Sequence, residues 1–451
     1  MGEIPVNLAH SMEDQEVAQE EQQSSYYYWP ILSFDVFPRR QYHFHHQFRD
    51  CSTISGREGN NFLKGLKWSS DGSCFLTSSD DNTLQRFELP SDAAEDVSEV
   101  DFTTSPEDSF KSSLTFQEGE SVYDYCWYPN MNASDPGSCV FATTSRDHPV
   151  HLWDAMTGEL RCTYRAFDAM DEITAAYSMC FNPAGTKLYC GYKKLLRVFD
   201  TSRPGREFSQ HSTLTDAKDG QAGIISCLAF NPSNEGLLAA GSYNRTTALY
   251  SEDTLEMLFV LHGQQGGVTQ VMFSKDGNFL YTGARKDPDI LCWDVRNTVS
   301  TVYKLRRVTA DTNQRITFDI APNGGHLATG GQDGLVHIYD LQTGAWVNSF
   351  QAALDTVNSF GFHPSLPLAA SASGHRRFKS SADDENDDGS HQTSLNVEEN
   401  CASVWRFACS WVSSESSSHE EKFPSSMEQD IEDNSSTPNE EETPTDLYQP
   451  Q

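Results

Sequence analysis

Basic, amide and aromatic side chains recur at intervals along this sequence of 451 residues, whose formal net charge is −33. Cations neutralise phosphates, side-chain amides pair with the edges of bases, and tyrosine rings stack on splayed bases. The residues with this chemistry are Tyr123, Tyr125, Arg146, His148, Lys193, Lys194, Gln221, Arg245, Gln264, Gln265, Arg285, Lys286, Gln314, Arg315 and Arg376. Together they would suit a polynucleotide if the fold brought them to one surface.

The negative charge is concentrated in four segments rich in Ser, Glu and Asp. Their net charges are −5 for residues 1–60, −8 for 91–120, −6 for 378–400 and −10 for 411–451, which leaves about −4 for the rest. Segments with so little apolar content cannot offset the entropy lost on folding. We therefore expect disordered acidic tails at 1–25 and 411–451, acidic inserts at about 91–120 and 378–400, and a nearly neutral folded body.

The composition argues against several classes of protein. Residues 1–20 lack the basic start and apolar run of a signal peptide, and no run of about 18 apolar residues suggests a membrane span. The 11 Cys residues are scattered and form no C-x-x-C pair, which favours buried thiols in a reducing compartment over disulfides or zinc. We expect an intracellular protein with no membrane association and no cofactor.

A unit repeated seven times predicts the elements that would position the candidate residues. Each unit has an apolar strand ending in Trp, Phe or Ile, a second strand ending in small residues, and a third strand ending in a Trp-Asp-like pair. The equivalent first-strand positions are Trp68, Trp127, Phe181, Phe230, Phe273, Ile320 and Phe362, separated by 42 to 59 residues. This pattern predicts an all-β, seven-bladed WD-repeat β-propeller over residues 61–410.

Blade seven needs a strand from the N-terminal segment 26–60 to be complete, because the chain resumes after the acidic insert only with "CASVWRF". The apolar stretch "YYYWPILSFDVF", residues 26–37, is the candidate for this closing strand. Closure of the ring would remove exposed sheet edges. Trp153, Trp293 and Trp405 are predicted to lie in the cores of their blades.

Strand direction places the candidate residues on one face of the propeller. Strands alternate in direction within a blade, so the turn between strands two and three lies on the same face as the link into the next blade. A basic pair such as Arg285-Lys286 also has a structural interpretation, in which the arginine bonds to the neighbouring blade and the lysine lies in solvent. From the pattern alone, a protein-binding rim remains the alternative to RNA binding.

Enzymatic and metal chemistry find little support in the sequence. It contains no nucleophile elbow, no G-x-x-x-x-G-K-[ST] loop and no carboxylate pair without a turn-capping explanation. The stretch "YHFHH", with His43, His45 and His46, could supply metal ligands. No acidic or Cys residue adjoins it, which favours a polar loop or strand. We expect no catalytic residues and no metal site.

Several longer stretches resemble the telomerase Cajal body protein family. In order along residues 55–410 they include "SVYDYCWYPNM", "GQAGIISCLAFNP", "TGARKDPDILCWDVR", "TNQRITFDIAPNG" and "FHPSLPLAASASG". The resemblance implies a propeller that binds the Cajal body box of small Cajal body RNAs and, in animals, telomerase RNA. It also implies box H/ACA ribonucleoprotein components as partners, folding by the cytosolic chaperonin, and a location in the nucleus and Cajal bodies with some cytoplasmic protein.

Two functions of different classes follow. The first is a non-enzymatic, RNA-binding factor for the assembly and localisation of ribonucleoproteins. The alternative is a protein-only WD-repeat scaffold or adaptor that binds a peptide at the propeller mouth. A salt-sensitive interaction with an RNA hairpin carrying the box would separate them.

Overall fold

The computed structural model describes residues 30–44, 61–90, 93, 111–214, 220–233, 236–376 and 399–410. The strands in these ranges form seven four-stranded antiparallel sheets and one two-stranded sheet. The all-β, seven-bladed propeller predicted from the repeat is therefore confirmed. Within the described ranges there is no helix that could cross a membrane. The predicted disordered tails, 1–25 and 411–451, lie outside these ranges.

In blades one to six the strands follow one another in chain order from the innermost to the outermost, and blades one to three come first along the chain. Their strands are β3 (Leu63–Trp68), β4 (Cys74–Ser79), β5 (Thr83–Glu88) and β6 (Leu114–Gln117) in blade one; β7 (Val122–Trp127), β8 (Val140–Ser145), β9 (Val150–Asp154) and β10 (Leu160–Tyr164) in blade two; and β11 (Ser178–Phe181), β12 (Lys187–Gly191), β13 (Leu195–Asp200) and β14 (Ser209–Ser212) in blade three.

Blades four to six repeat this arrangement. Their strands are β15 (Ile225–Phe230), β16 (Leu237–Ser242), β17 (Thr246–Ser251) and β18 (Met257–His262); β19 (Val268–Phe273), β20 (Phe279–Ala284), β21 (Asp289–Asp294) and β22 (Asn297–Arg306); and β23 (Phe318–Ile320), β24 (His326–Gly330), β25 (Leu335–Asp340) and β26 (Trp346–Gln351).

Blade seven joins the two ends of the propeller. Its strands, from the innermost outward, are β27 (Val357–Phe362), β28 (Leu368–Ser373), β29 (Ala402–Arg406) and β2 (Arg39–His43). An N-terminal strand, β2, completes this blade, and it differs from the predicted segment. Residues 26–37 instead supply β1 (Ile31–Leu32), which pairs with β30 (Cys409–Ser410).

The apolar character of residues 26–37 predicted the wrong closing strand, and the reason is physical. An outermost strand is partly exposed, and no side chain of β2 is fully buried. The apolar residues that precede it have another role, because Leu32 and Phe34 are buried against Phe362 and Phe407 beside the last two blades. The segment anchors the closing strand instead of forming it.

The first and last blades are joined by side-chain hydrogen bonds between their innermost strands. Asn358 Nδ2 of β27 donates to Leu63 O of β3 at 2.7 Å. In the opposite direction, Trp68 Nε1 of β3 donates to Gly361 O at 3.0 Å. These bonds satisfy backbone carbonyl groups at the junction and tie blade seven to blade one.

Three tryptophans at the ends of third strands confirm the predicted blade cores. Each indole N–H donates to a hydroxyl group on the second strand of its own blade: Trp153 to Thr143 at 2.9 Å, Trp293 to Thr282 at 3.1 Å, and Trp405 to Ser371 at 2.9 Å. A buried indole needs such an acceptor. The contact fixes the third strand against the second and so fixes the turn that joins them.

The acidic insert of blade one is shorter than the predicted 91–120. Leu114–Gln117 forms β6, and Glu118 after it is only 2% exposed. Burial opposes ionisation of Glu118, but hydrogen bonds from His151, at 2.9 Å, and from Thr143 outweigh it and hold its pKa below the usual value. The negative charge of Glu118 placed it in the predicted acidic insert, but a carboxylate with enough hydrogen-bond donors can be buried.

Candidate nucleic-acid interface

One face of the ring, here called the link face, carries the links into the innermost strands and the turns between second and third strands. The rim cations are the predicted residues that lie exposed on these turns: Arg146, Lys193, Lys194, Arg245 and Lys286. Gln265, in the link to β19, is also exposed. The structure therefore brings cations from four consecutive blades, two to five, to one face.

The rim cations differ in their partners from two arginines of the opposite face. Among the described residues, no carboxylate lies within ion-pair distance of any rim cation. On the opposite face, Arg161 is paired with Asp154 at 2.8 Å and Arg296 with Asp294 at 3.3 Å. The link face thus presents positive charge that the described part of the protein leaves unneutralised.

Three rim cations occupy a costly backbone conformation. Lys194, Arg245 and Lys286 have φ values of 63°, 64° and 51°. In the corresponding turns of blades one and six the positive-φ residues are Asn82 and Gly334, types that suit this conformation. A long cationic side chain there costs on the order of 1 kcal/mol. Strained residues cluster at functional sites, so this cost favours a role for the cations themselves.

Arg315, in the link before β23, reaches across the mouth of the propeller. Its guanidinium donates to Tyr123 O in blade two at 3.1 Å, to Tyr243 OH in blade four at 2.8 Å and to Ser226 O in the same blade at 3.4 Å. Burial disfavours the charge, but Tyr243 and Asp124 outweigh it and raise the pKa of Arg315. One side chain of blade six therefore contacts two other blades.

Arg285 also lies beside the ring of Tyr243. Its Cζ atom is 5.1 Å from the centroid of the Tyr243 ring, and the Cζ of Arg315 is 5.9 Å from it. Burial lowers the pKa of Arg285, whereas its neighbour Lys286 is exposed. This geometry matches the structural interpretation of the basic pair, with the arginine against the neighbouring blade and the lysine in solvent.

Sequence reasoning missed two residues of this centre. Tyr243 stands directly before Asn244-Arg245, in a turn whose sequence signal is its cation and its amide. Lys64 stands at the start of β3, and its Nζ donates to Val122 O at 3.2 Å. Burial lowers the pKa of Lys64 to about 8. Lys64, Tyr243, Arg285 and Arg315 are called the mouth cluster below.

An aromatic pair adjoins the mouth cluster. The rings of Tyr123 and Tyr177 are 5.3 Å apart and inclined by 30°, and both side chains keep accessible surface. The hydroxyl group of Tyr123 beside Arg146 raises the pKa of that rim cation. Tyr177 lies in the link to blade three and was also missed by sequence reasoning. The pair offers ring surface next to positive charge.

Three predicted residues are not on the surface. Gln221 is fully buried, where its amide donates to Ala240 O at 2.9 Å and accepts from Tyr250 OH at 3.0 Å. Gln264 is 8% exposed and donates to Thr282 O at 2.9 Å. Tyr125 is 6% exposed within β7. The two amides turn inward because buried carbonyl groups at strand ends need donors, so these residues leave the candidate interface.

The remaining predicted residues hold loops together on the link face. Gln314 Oε1 accepts from Arg376 N at 3.0 Å, and the Arg376 side chain is paired with Asp80 of blade one at 2.5 Å. His148 keeps some accessible surface, and its Nδ1 lies 2.6 Å from Arg146 O. Arg376 is exposed but neutralised, which separates it from the rim cations.

The closed ring of seven four-stranded sheets and its Trp-containing third strands define a WD-repeat β-propeller. The WD domain, G-beta repeat family matches residues 49–87, 255–294 and 304–340. The described residues of these matches lie in blades one, four, five and six, because 255–294 includes β18 of blade four. The other blades have the same strand order.

The closely similar relatives are more specific. Telomerase Cajal body protein 1 of Mesocricetus auratus is 46% identical over 326 residues, which are 70% of this chain and 59% of the relative. The Drosophila melanogaster homolog of telomerase Cajal body protein 1 is 36% identical over 338 residues, 73% of this chain and 60% of the relative. The chain belongs to the telomerase Cajal body protein family, and it spans about three fifths of the length of these relatives.

A third relative has a name of another kind. Guanine nucleotide-binding protein negative regulator 1 of Schizosaccharomyces pombe is 31% identical over 285 residues, which are 61% of this chain and 70% of the relative. The name of this relative thus refers to a protein and not to an RNA.

Proposed function

We propose that the protein binds RNA on its link face and acts, without catalysis, in the assembly and localisation of ribonucleoproteins. The observation that carries this proposal is that blades two to five all place exposed cations on one face, where the described residues give them no ion pair. An RNA backbone supplies the missing negative charge. Net repulsion from an acidic chain would otherwise disfavour RNA, so the location of the positive charge decides where RNA can bind.

The site favours a looped or single-stranded RNA over a duplex. Tyr123 and Tyr177 offer ring surface beside Arg146, and unstacked bases of a loop can use such surface whereas paired bases cannot. Gln265 adds an exposed amide that can pair with a base edge. A loop laid over blades two to five would meet the rim cations with its phosphates and the tyrosines with its bases.

The names of the relatives guide the choice of RNA. We propose the Cajal body box of small Cajal body RNAs as the ligand, and telomerase RNA as a further one. Components of box H/ACA ribonucleoproteins are the proposed partners, with the cytosolic chaperonin as the folding factor. The proposed location is the nucleus, in Cajal bodies, with a cytoplasmic fraction during synthesis and folding.

A charge reversal on two blades tests the RNA site. Lys193→Glu with Lys286→Glu should weaken binding of a box-containing hairpin at least tenfold, which corresponds to about 1.4 kcal/mol. If both lysines contact phosphates of single-stranded RNA, the log–log salt dependence should flatten by about 1.4. Binding is measured by fluorescence anisotropy over a series of salt concentrations, with a scrambled-loop hairpin in parallel.

The matched control places the same charge change on the opposite face. Lys187→Glu with Lys275→Glu alters two lysines near turns of that face, and it should leave affinity and salt slope close to those of the unaltered protein. Equal weakening by both double variants would show a general effect of net charge. If the link-face variant bound the hairpin with wild-type affinity, RNA would not contact blades three and five.

A protein-only scaffold is the second candidate function, and the Schizosaccharomyces pombe relative is the observation that favours it. In that case the link face would bind an acidic peptide segment. Ribonuclease treatment separates the two candidates. Partners recovered with the protein from nuclear extract should be lost after digestion if RNA mediates their association, and retained if the propeller grips them directly.

A further inference from the structure

Three side chains of metal-binding type meet where the two ends of the propeller chain are joined. A ring nitrogen of His43, a carboxylate oxygen of Glu399 and the Sγ atom of Cys401 lie within 4.8 Å of one another. His43 ends the closing strand β2, whereas Glu399 and Cys401 directly precede β29. No acidic or Cys residue adjoins "YHFHH" in the sequence, but the fold brings Glu399 and Cys401 to its first histidine. His45 and His46 lie outside the described residues.

The register of the last sheet accounts for this meeting. In the antiparallel pair of β2 and β29, His43 lies opposite Ser403. Side chains of an extended chain alternate between its two sides, so every second residue shares a side. Glu399 and Cys401 stand four and two residues before Ser403, and this spacing turns both toward the side on which His43 contacts Ser403. The segment Glu-x-Cys-x-Ser therefore presents two ligands to the histidine across the sheet.

Each of the three side chains is held by a neighbour. Ser403 Oγ contacts His43 Nδ1 at 2.9 Å, and Ser373 Oγ contacts Cys401 Sγ at 3.0 Å. A carboxylate oxygen of Glu399 accepts a hydrogen bond from Leu354 N. Metal-binding side chains in proteins are commonly oriented by such outer contacts. Cys401 is 2% exposed, so bulk water does not compete for its sulfur.

We propose that His43, Glu399 and Cys401 bind a zinc-type divalent transition metal ion that ties the closing strand to the last blade. Imidazole nitrogen, thiolate sulfur and carboxylate oxygen together suit Zn²⁺, whereas Ca²⁺ and Mg²⁺ require oxygen ligands. Tetrahedral zinc bonds of 2.0–2.3 Å place ligand atoms about 3.3–3.8 Å apart, so small side-chain rotations bring the three ligand atoms to this spacing, and a water molecule would take the fourth position. A thiolate and a carboxylate also neutralise the charge of the ion.

Such an ion would stabilise the closed ring. It would join residues separated by most of the chain, at the junction where the propeller depends on an N-terminal strand for closure. A ligand that binds only the folded state raises the free energy of unfolding in proportion to the logarithm of its concentration over its dissociation constant. The proposal concerns blade closure and is independent of the RNA site, which lies on blades two to five.

The test uses the full chain, stripped of metal by a chelator and kept reduced by a phosphine. Zinc sulfate is then added, and bound zinc and the melting temperature are measured. One equivalent of zinc should bind, and the melting temperature should rise. Cys401→Ser should abolish both effects, whereas Cys409→Ser, a thiol removed from β30 of the same region, should preserve them. Cobalt should give a thiolate-to-metal absorption band in the control and none in Cys401→Ser.

A second variant covers the case in which Cys401→Ser fails to fold. Glu399→Gln keeps an oxygen that can accept from Leu354 N but lacks the carboxylate charge, and it should weaken zinc binding at least tenfold while the protein still melts cooperatively. Zinc uptake equal in wild type, Cys401→Ser and Glu399→Gln would overturn the proposal. It would also be overturned if zinc left the melting temperature of the wild type unchanged, or if bound cobalt showed no thiolate band.

Discussion

Arg315 of blade six donates a hydrogen bond of 2.8 Å to the hydroxyl group of Tyr243 in blade four, across the mouth of the propeller. The same guanidinium reaches Tyr123 O in blade two. Radial sheets of a propeller contact mainly their immediate neighbours, so a side chain that joins three non-adjacent blades adds a restraint of a different kind. The mouth cluster is therefore both part of the framework and adjacent to the candidate RNA surface.

This relationship predicts different outcomes for two substitutions at one position. Tyr243→Phe removes the hydroxyl acceptor but keeps the ring beneath Arg285, and it should lower the free energy of unfolding by about 1.5–3 kcal/mol, the usual contribution of a hydrogen bond to a charged group. RNA affinity should change little. Tyr243→Ala also removes the ring, so both arginines lose their support, and affinity for the hairpin should fall further than stability alone explains.

Urea unfolding and anisotropy titrations measure the two effects, and Tyr177→Phe is the control. That residue lies on the link face and stacks on Tyr123, but Arg315 does not bond to its hydroxyl. A stability loss in Tyr177→Phe as large as in Tyr243→Phe would show that the hydrogen bond to Arg315 has no special weight.

Lys64 predicts a distinct dependence of stability on alkaline pH. Burial lowers its folded-state pKa to about 8, with Arg376 and Arg315 acting in the same direction, whereas the unfolded side chain titrates near 10.4. Between these values the unfolded chain binds a proton that the folded protein has released. Stability therefore gains a contribution from Lys64 as pH rises from about 8 to about 10.4, and below pH 8 the residue carries a buried charge at a cost.

Lys64→Met tests this sign. The variant should be more stable than wild type near pH 7, and its advantage should shrink as pH approaches 10. Other groups also titrate in this range, including buried thiols, so the quantity to compare is the difference between variant and wild type at each pH. A constant difference from pH 7 to 10 would mean that Lys64 does not titrate anomalously. Lys67→Met, another lysine of β3, is the control.

Much of the fold could be predicted from the sequence, because each repeat carries the same local pattern of strands. The apolar first strands and the Trp-Asp endings place Trp68, Trp293 and their equivalents by period alone. Gln221 and Gln264 could not be placed in this way. A polar residue in a link can face solvent or turn inward to bond a strand-end carbonyl group, and the choice depends on which carbonyl groups the assembled blades leave unpaired.

The site shows the same division between local and assembled properties. Lys193 and Lys286 stand in turns whose exposure follows from strand alternation, so their location was predictable. The bond between Arg315 and Tyr243 joins links of two blades that are not neighbours, and no period in the sequence encodes it. The cluster around His43 likewise depends on which N-terminal segment closes the ring. Apolar content alone predicted the wrong segment.

His363 predicts a loss of stability in mild acid. It is 2% exposed, its Nε2 lies 2.9 Å from Gly72 O, and its Nδ1 accepts from Ser365 N and Leu366 N at 3.0 and 2.9 Å. This set of contacts requires a neutral ring. Burial lowers the pKa of His363 to about 4. The unfolded residue binds a proton near pH 6.5, so stability should fall from there to about pH 4, by roughly 3 kcal/mol in total.

His363→Gln removes the titration and leaves a side chain that can still donate to Gly72 O. The variant should be less stable than wild type at pH 7.5, and the difference between them should narrow at pH 5.5 and again at pH 4.5. Urea denaturation at the three pH values gives the comparison. His262→Gln, at an exposed histidine that ends β18, is the control. The assignment of His363 fails if the stability difference between His363→Gln and wild type is the same at all three pH values.

The closing strand predicts where the N-terminus can be shortened. A protein that begins at residue 38 keeps β2 but loses β1, Leu32 and Phe34, and it should fold with a lower melting temperature because the apolar surface around Phe362 and Phe407 is uncovered. Phe34→Ala in the full chain should show part of the same loss, and it should lower the free energy of unfolding by about 3–5 kcal/mol.

A protein that begins at residue 45 also lacks β2. Its β29 becomes an unpaired edge, which should produce oligomers or aggregates, as seen by light scattering after gel filtration. If the protein that begins at residue 45 were monomeric and melted like the one that begins at 38, blade seven would not depend on Arg39–His43 for closure.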